Sequence, residues 1–251
     1  MTADDAARNG GTLSITDASF AFGDVRILDD ASADFSPGEF TALVGPNGSG
    51  KTTILQLLSG LRALDAGTVS RPASPGRTVA YLPQTPGFRG GFTARETIGF
   101  YAALVDAEDD PIDLLERVGL GDAADRPVGA LSGGMTRLLG IAQALIGDPP
   151  VVVLDEPTSG LDPDTADYIF DVIGRIASED RLVVTASHDL AGVEACADRV
   201  LLVSNGEFVL DDSPAALLDA SDAATLREVF SATVGTADRS AVPRPSVGGD
   251  A

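Results

Sequence analysis

An apolar run, FTALV (40–44), leads into GPNGSGKT, Gly45–Thr52, and the helical pattern TTILQLLSGL follows directly. Strand, G-x-x-x-x-G-K-[ST] and helix in that order specify a loop that holds phosphate. Gly45, Gly48 and Gly50 permit backbone angles that side chains forbid, so successive N–H groups converge on phosphate oxygens at a helix N-terminus. The candidate ligand-binding set is Gly45, Asn47, Gly48, Ser49, Gly50, Lys51, Thr52 and Thr53. Lys51 is the chain's only lysine among 17 basic residues. A compact ammonium fits between β- and γ-phosphates in a way that arginine's planar fork does not. Thr52 offers a hydroxyl to Mg²⁺.

The rest of the chain frames this loop. Short apolar runs at TVAYL (78–82), VVVL (151–154), LVVTA (182–186) and RVLLV (199–203) read as buried strands. Helical patterns such as TADYIFDVIGRIAS separate several of them, which predicts an α/β fold with a mostly parallel sheet flanked by helices. Alternation in TLSITDASFAF predicts an N-terminal antiparallel β layer. Between about Thr85 and Asp148, ARETIGFYAALV and IDLLERVGL predict an α-helical insertion without a buried strand. The expected layout is a flexible N-terminus (1–10), a core with its β layer (11–84 and 149–218), a helical subdomain (85–148), and a C-terminal helix and flexible tail (219–251). GTADRSAVPRPSVGGDA, with no apolar periodicity, is read as part of that tail.

Charge narrows the partners. The formal net charge is −21, from 38 acidic against 17 basic residues, so the surface repels nucleic acid and anionic lipid in dilute salt. The apolar runs argue against disorder. Abundant Asp, scarce Lys and few aromatics resemble proteins that work in molar salt, where screening shortens to about 3 Å. Cys196 has no partner for an internal disulfide, and its apolar setting, VEACADRV, reads as packing. No segment reaches the roughly 18 apolar residues of a membrane span, and MTADDAARNG has no signal-peptide core, so a soluble chain is expected.

VVVLDEPTSGLD adds an acid pair. The strand delivers Asp155 to the sheet edge, where its carboxylate can hold Mg²⁺ through water, and Glu156 beside it can orient or deprotonate an attacking water. LSGGM, Leu131–Met135, lies between the two motifs. In isolation it reads as a helix cap.

The order of these motifs resembles the ATP-binding subunit of ABC transporters, over nearly the whole span from about Thr12 to Leu218. The resemblance implies a P-loop NTPase core and an ATPase with ATP and Mg²⁺ as cofactors. It also implies that Ser132, Gly133 and Gly134 contact the γ-phosphate of ATP held by an opposite subunit. Met135 stands where the family usually carries glutamine. Gln84 in YLPQ resembles the family's glutamine that senses Mg²⁺ and the attacking water. SGLD, Ser159–Asp162, resembles the loop that crosses to the other subunit. His188, the only histidine, resembles the switch residue at the γ-phosphate, and Phe22 in SFAFG occupies the place of the aromatic that stacks on adenine.

The implied catalytic set is Lys51, Gln84, Glu156 and His188, the metal set Thr52, Gln84 and Asp155, and Asp162 joins the nucleotide contacts. The implied partners are a transmembrane permease subunit and a second ATPase subunit, identical or paralogous, at the cytoplasmic face of the membrane; no nucleic acid is expected. The compact form leans toward export-type permeases, with the substrate open. The rival class is a soluble ABC-type ATPase of DNA repair or translation, which typically carries long insertions or two cassettes. A small-molecule kinase does not account for LSGGM or SGLD.

Overall fold

The computed structural model describes residues 12–240. The expected flexible N-terminus, 1–10, lies outside the described residues. Strands β1 (Leu13–Phe22) and β2 (Val25–Phe35) pair antiparallel, and β4 (Ala66–Ser70) adds to the other side of β1. Their sheet has the order β2-β1-β4. Alternation, reset by an irregularity at Asp17 (φ 49°), brings Leu13, Ile15, Ala18 and Phe20 to buried positions.

The second sheet has the order β5-β6-β7-β3-β8-β9. Its strands are β3 (Phe40–Val44), β5 (Val79–Leu82), β6 (Val151–Asp155), β7 (Leu182–Ala186), β8 (Arg199–Ser204) and β9 (Glu207–Asp212). Strands β3, β5, β6, β7 and β8 run parallel, and β9 closes one edge antiparallel to β8. Three of them, β3, β6 and β7, are buried along their whole length. That is why they carry continuous apolar runs rather than alternation.

Helix α1 (Lys51–Leu58) follows β3 and ends earlier than its apolar pattern, because Gly60 turns the chain at φ 75°. Helices α2 (Ala94–Leu104), α3 (Pro111–Arg117) and α4 (Gly133–Ala144) lie between β5 and β6. Thr93 and Glu96 form a reciprocal capping box at the start of α2, and Asp110 caps α3 ahead of Pro111. The first ends near Leu104 and the second at Arg117, where Gly119 turns at φ 78°. Helix α5 (Pro163–Ala177) buries Ile169, Phe170, Val172 and Ile173 against the sheet. Helix α6 (Leu190–Cys196) approaches so closely that a Cβ on Gly192 would stand 2.2 Å from the Phe170 ring. Cys196 is half-buried against the same core.

Helices α7 (Pro214–Ser221) and α8 (Leu226–Ser240) are the last elements of the described residues. Here the structure departs from the expected tail. Residues Gly235–Ser240 continue α8 instead of fraying from it, and 241–251 lie outside the described residues. Leu226 and Val229 anchor the helix in the core, and a helix already nucleated extends at low cost.

Strands β4 and β9 carry no long apolar run. For β9 a signal was present: Asn205 and Gly206 both have positive φ, 51° and 85°, the two-residue hairpin turn that Asn-Gly favours.

Candidate functional site

The carboxyl ends of β3, β6 and β7 lie side by side, and the loops that follow them meet there. After β3, Gly50 caps α1 at φ 97°, and no side chain bonds the helix end, which leaves the first-turn N–H groups to an anion. A Cβ on Gly50 would stand 2.4 Å from Ile27 Cγ2, and one on Gly45 2.5 Å from the Val203 carbonyl oxygen. The loop is therefore drawn tight by its neighbours as well as by ligand geometry.

Lys51 is buried, and its Nζ donates to the carbonyls of Gly45 at 2.9 Å and Pro46 at 3.2 Å. Burial pushes its pKa down while Glu156 and Asp155 push it up. The Ser49 hydroxyl is buried without a hydrogen-bond partner among the described residues. A buried orphan hydroxyl beside bare N–H groups and an ammonium fits a ligand rich in acceptor oxygens, as a triphosphate is. A cleft of about 360 Å³ opens over this loop, lined by Asn47, Gly48, Lys51, Thr52, Gln84 and Glu156 among others.

Asp155 ends β6 buried. Its carboxylate accepts from Thr52 Oγ1 at 3.1 Å and from the Tyr81 hydroxyl at 3.2 Å. Burial raises its pKa, against the two hydrogen bonds that lower it. The Tyr81 hydroxyl is pushed up to about 12, by burial first and then by Asp155. Tyr81 therefore stays a neutral donor. Sequence reasoning passed over this tyrosine, although it stands in the same YLPQ stretch as Gln84.

Glu156 follows at φ 49°, a left-handed conformation that costs a non-glycine residue about 1–2 kcal/mol. Its N–H donates to the Ala186 carbonyl at 3.0 Å, tying the turn to β7. Its side chain is only 11% exposed, whereas that of His188 is 57% exposed. Oε2 lies 2.6 Å from His188 Nδ1. An ionised carboxylate only accepts, so Nδ1 carries the proton.

Several expected residues lie elsewhere. Leu131–Met135 line none of the clefts that flank the phosphate loop. Ser132 caps α4 by accepting from the Met135 N–H at 3.2 Å, so the cap reading of LSGGM holds in the single chain. A Cβ on Gly134 would meet Thr165 Cγ2 at 2.4 Å, whereas Gly133 has ordinary room. Asp162 caps α5, with one oxygen on the Thr165 N–H and the other on its hydroxyl, and these bonds hold its carboxyl below the usual range.

Phe22 is half-exposed at the tip of the β1–β2 hairpin. Phe20 meets it edge-on, and the Arg62 guanidinium stands 4.7 Å over its ring. Gln84 is exposed, and its carbonyl accepts from Arg137.

Helix α8 also reaches the phosphate loop. Arg227, Phe230 and Ser231 share a cleft of about 310 Å³ with Gly45, Pro46 and His188, and Val234 lines another with Asn47 and Ser49. These positions form one helical stripe.

Comparisons with known proteins agree with this geometry. A family profile described as ABC transporter matches residues 28–159. The chain is 39% identical over 228 residues to the Phosphonates import ATP-binding protein PhnC 1 of Natronomonas pharaonis, covering 84% of this chain and 97% of that protein. It is 35% identical over 237 residues to the Nod factor export ATP-binding protein I of Burkholderia lata, covering 84% of this chain and 77% of the relative. The fold is similar to a solved "ATP binding subunit of ABC transporter", with a TM-score of 0.74 at 24% identity, covering 88% of this chain and 98% of that one.

Proposed function

The chain belongs to the ABC transporter family as an ATP-binding, ATP-hydrolysing subunit, and from that premise we propose how its residues divide the work. The observation that carries the proposal is the Glu156–His188 pair, 2.6 Å apart at the edge of the cleft that Lys51 and Gln84 also line. The N–H groups of Asn47, Gly48, Ser49, Gly50, Thr52 and Thr53 receive the β- and γ-phosphates, with Gly45 shaping the turn and Lys51 placing its charge between them. Phe22 stacks adenine on the ring face that Arg62 leaves free.

Glu156 takes a proton from water as the water oxygen attacks the γ-phosphorus, and the bond to the β,γ-bridging oxygen breaks. His188 holds Glu156 through Nδ1 and shares a cleft with Gly45 and Pro46 of the phosphate loop, which sets its ring beside the γ-phosphate. No cluster of three His, Cys, Asp or Glu side chains suited to a metal occurs among the described residues. Thr52, Asp155 and Gln84 would instead hold Mg²⁺ together with phosphate oxygens. When bound, that ion supplies charge neutralisation at the phosphates. The Thr52–Asp155 bond already brings the hydroxyl and the carboxylate together.

Two subunits close head to tail, each ATP being sealed by Ser132, Gly133 and Gly134 of the other, with Asp162 and its loop crossing between them. That the signature does not line the three clefts around the phosphate loop supports this arrangement. Closure converts ATP binding into motion.

No helix among the described residues is long and apolar enough to cross a membrane. The chain works with a permease, which holds it at the cytoplasmic face. Its docking groove lies beside Gln84. In the helical insertion that follows, Phe88, Phe92, Phe100 and Tyr101 form an edge-to-face cluster with Arg89 over the Phe92 and Phe100 rings, and Phe100 and Leu104 are exposed. Such an apolar patch marks an interaction surface. Phe100→Glu is expected to cut permease recovery about ten-fold in co-purification from native membranes. Undiminished recovery would remove the groove from the docking surface, and recovery of only ribosomal or DNA-associated proteins would move the ATPase to the soluble class. The relatives include both an importer and an exporter by name, so direction follows the permease.

The charge of −21 extends the reading to a cytoplasm rich in salt. Circular dichroism should show helix lost in dilute buffer and regained in molar KCl, as screening relieves repulsion among the acids. Identical spectra in the two would overturn it.

A further inference from the structure

Arg227 stands in the first turn of α8, where the helix dipole disfavours a cation. The chain has few cations to place, and this one is exposed with no ion pair among the described residues. Helix stability therefore does not account for it. Arg227 lines a cleft of about 490 Å³ together with Gly160, Leu161, Asp167 and His188. Asp167, on the second turn of α5, is exposed and likewise has no ion pair among the described residues. One cleft thus holds an unpaired cation and an unpaired acid.

We propose that this cleft is an interface with a second copy of the chain, in which Arg227 of each copy pairs with Asp167 of the other. The inference rests on the head-to-tail dimer proposed above. A two-fold axis passing through the cleft sets it against itself, so the arginine of each copy meets the acids of the other. Free phosphate or another small anion fits less well, because Asp167 and Asp189 also line the cleft. Nucleic acid needs several clustered cations, and here there is one arginine. Two chains at −21 each repel over most of their surface, so a site of opposite charges sets where they can meet.

The test uses Glu156→Gln as the parent, with ATP, at the lowest salt at which the chain stays folded, and reads the dimer dissociation constant by sedimentation. Arg227→Asp and Asp167→Arg should each weaken the dimer about ten-fold, and the two together should return it to within about three-fold of the parent. Circular dichroism melting of each variant without nucleotide should fall within a few degrees of the parent and so exclude misfolding. Single variants that dimerise like the parent, or a double variant no tighter than the weaker single, would overturn the pairing while leaving the dimer intact. A parent that stays monomeric with ATP would overturn both.

Discussion

Glu156→Gln should bind ATP with near-parent affinity, lose about 10²–10⁴-fold in turnover, and accumulate as a dimer with ATP. The substitution is isosteric, so the turn at φ 49° and the N–H bond to the Ala186 carbonyl persist. The amide oxygen still accepts from His188 Nδ1, which stands 2.6 Å from the present carboxylate. What disappears is the proton acceptor. An amide does not take a proton from the attacking water, so ATP stays intact and the closed state is not released. Phosphate release and nucleotide binding measured on one preparation separate the two effects. Turnover within about ten-fold of the parent would place the base elsewhere.

Lys51→Arg should weaken ATP binding by about two orders of magnitude, roughly the value of charge-assisted hydrogen bonds lost from a buried site. The ammonium reaches the Gly45 and Pro46 carbonyls at 2.9 and 3.2 Å in a buried position. A guanidinium keeps the charge, but its planar fork does not reproduce the compact ammonium that this carbonyl pair holds. A melting temperature without nucleotide within a few degrees of the parent would show that the loss is local. Parent-like affinity in calorimetric titration would remove the reason for the chain's only lysine.

These two residues show what was legible in advance. Lys51 belongs to a contiguous motif, whose strand, glycines and helix are set by neighbours a few residues apart. Asn205-Gly206 carries a local turn signal of the same kind, but sequence reasoning passed over it and β9 was missed. The signature was legible as chemistry but not as sterics. Gly134 is glycine at least partly because α5 presses Thr165 against it, and Asp162 spends both oxygens on capping that helix. Tyr81 was illegible as a donor to Asp155, since a tyrosine in a strand reads as packing until its partner is known. Helix α8 was read as leading into a tail, and nothing in its composition places it against the phosphate loop.

The sequence by itself determined the parts: the phosphate loop, the acid pair, the signature cap and the kinds of element that carry them. Each depends on residue types at short, regular spacing. Tertiary structure alone decided how the parts meet. Thr52 reaches Asp155 across 103 residues, Tyr81 reaches the same carboxylate across 74, and His188 reaches Glu156 across 32. All three pairings follow from the strand order β5-β6-β7-β3-β8-β9. Buried parallel strands share one apolar pattern, so their composition does not encode which strand lies beside which; that order is chosen when the whole core packs at once.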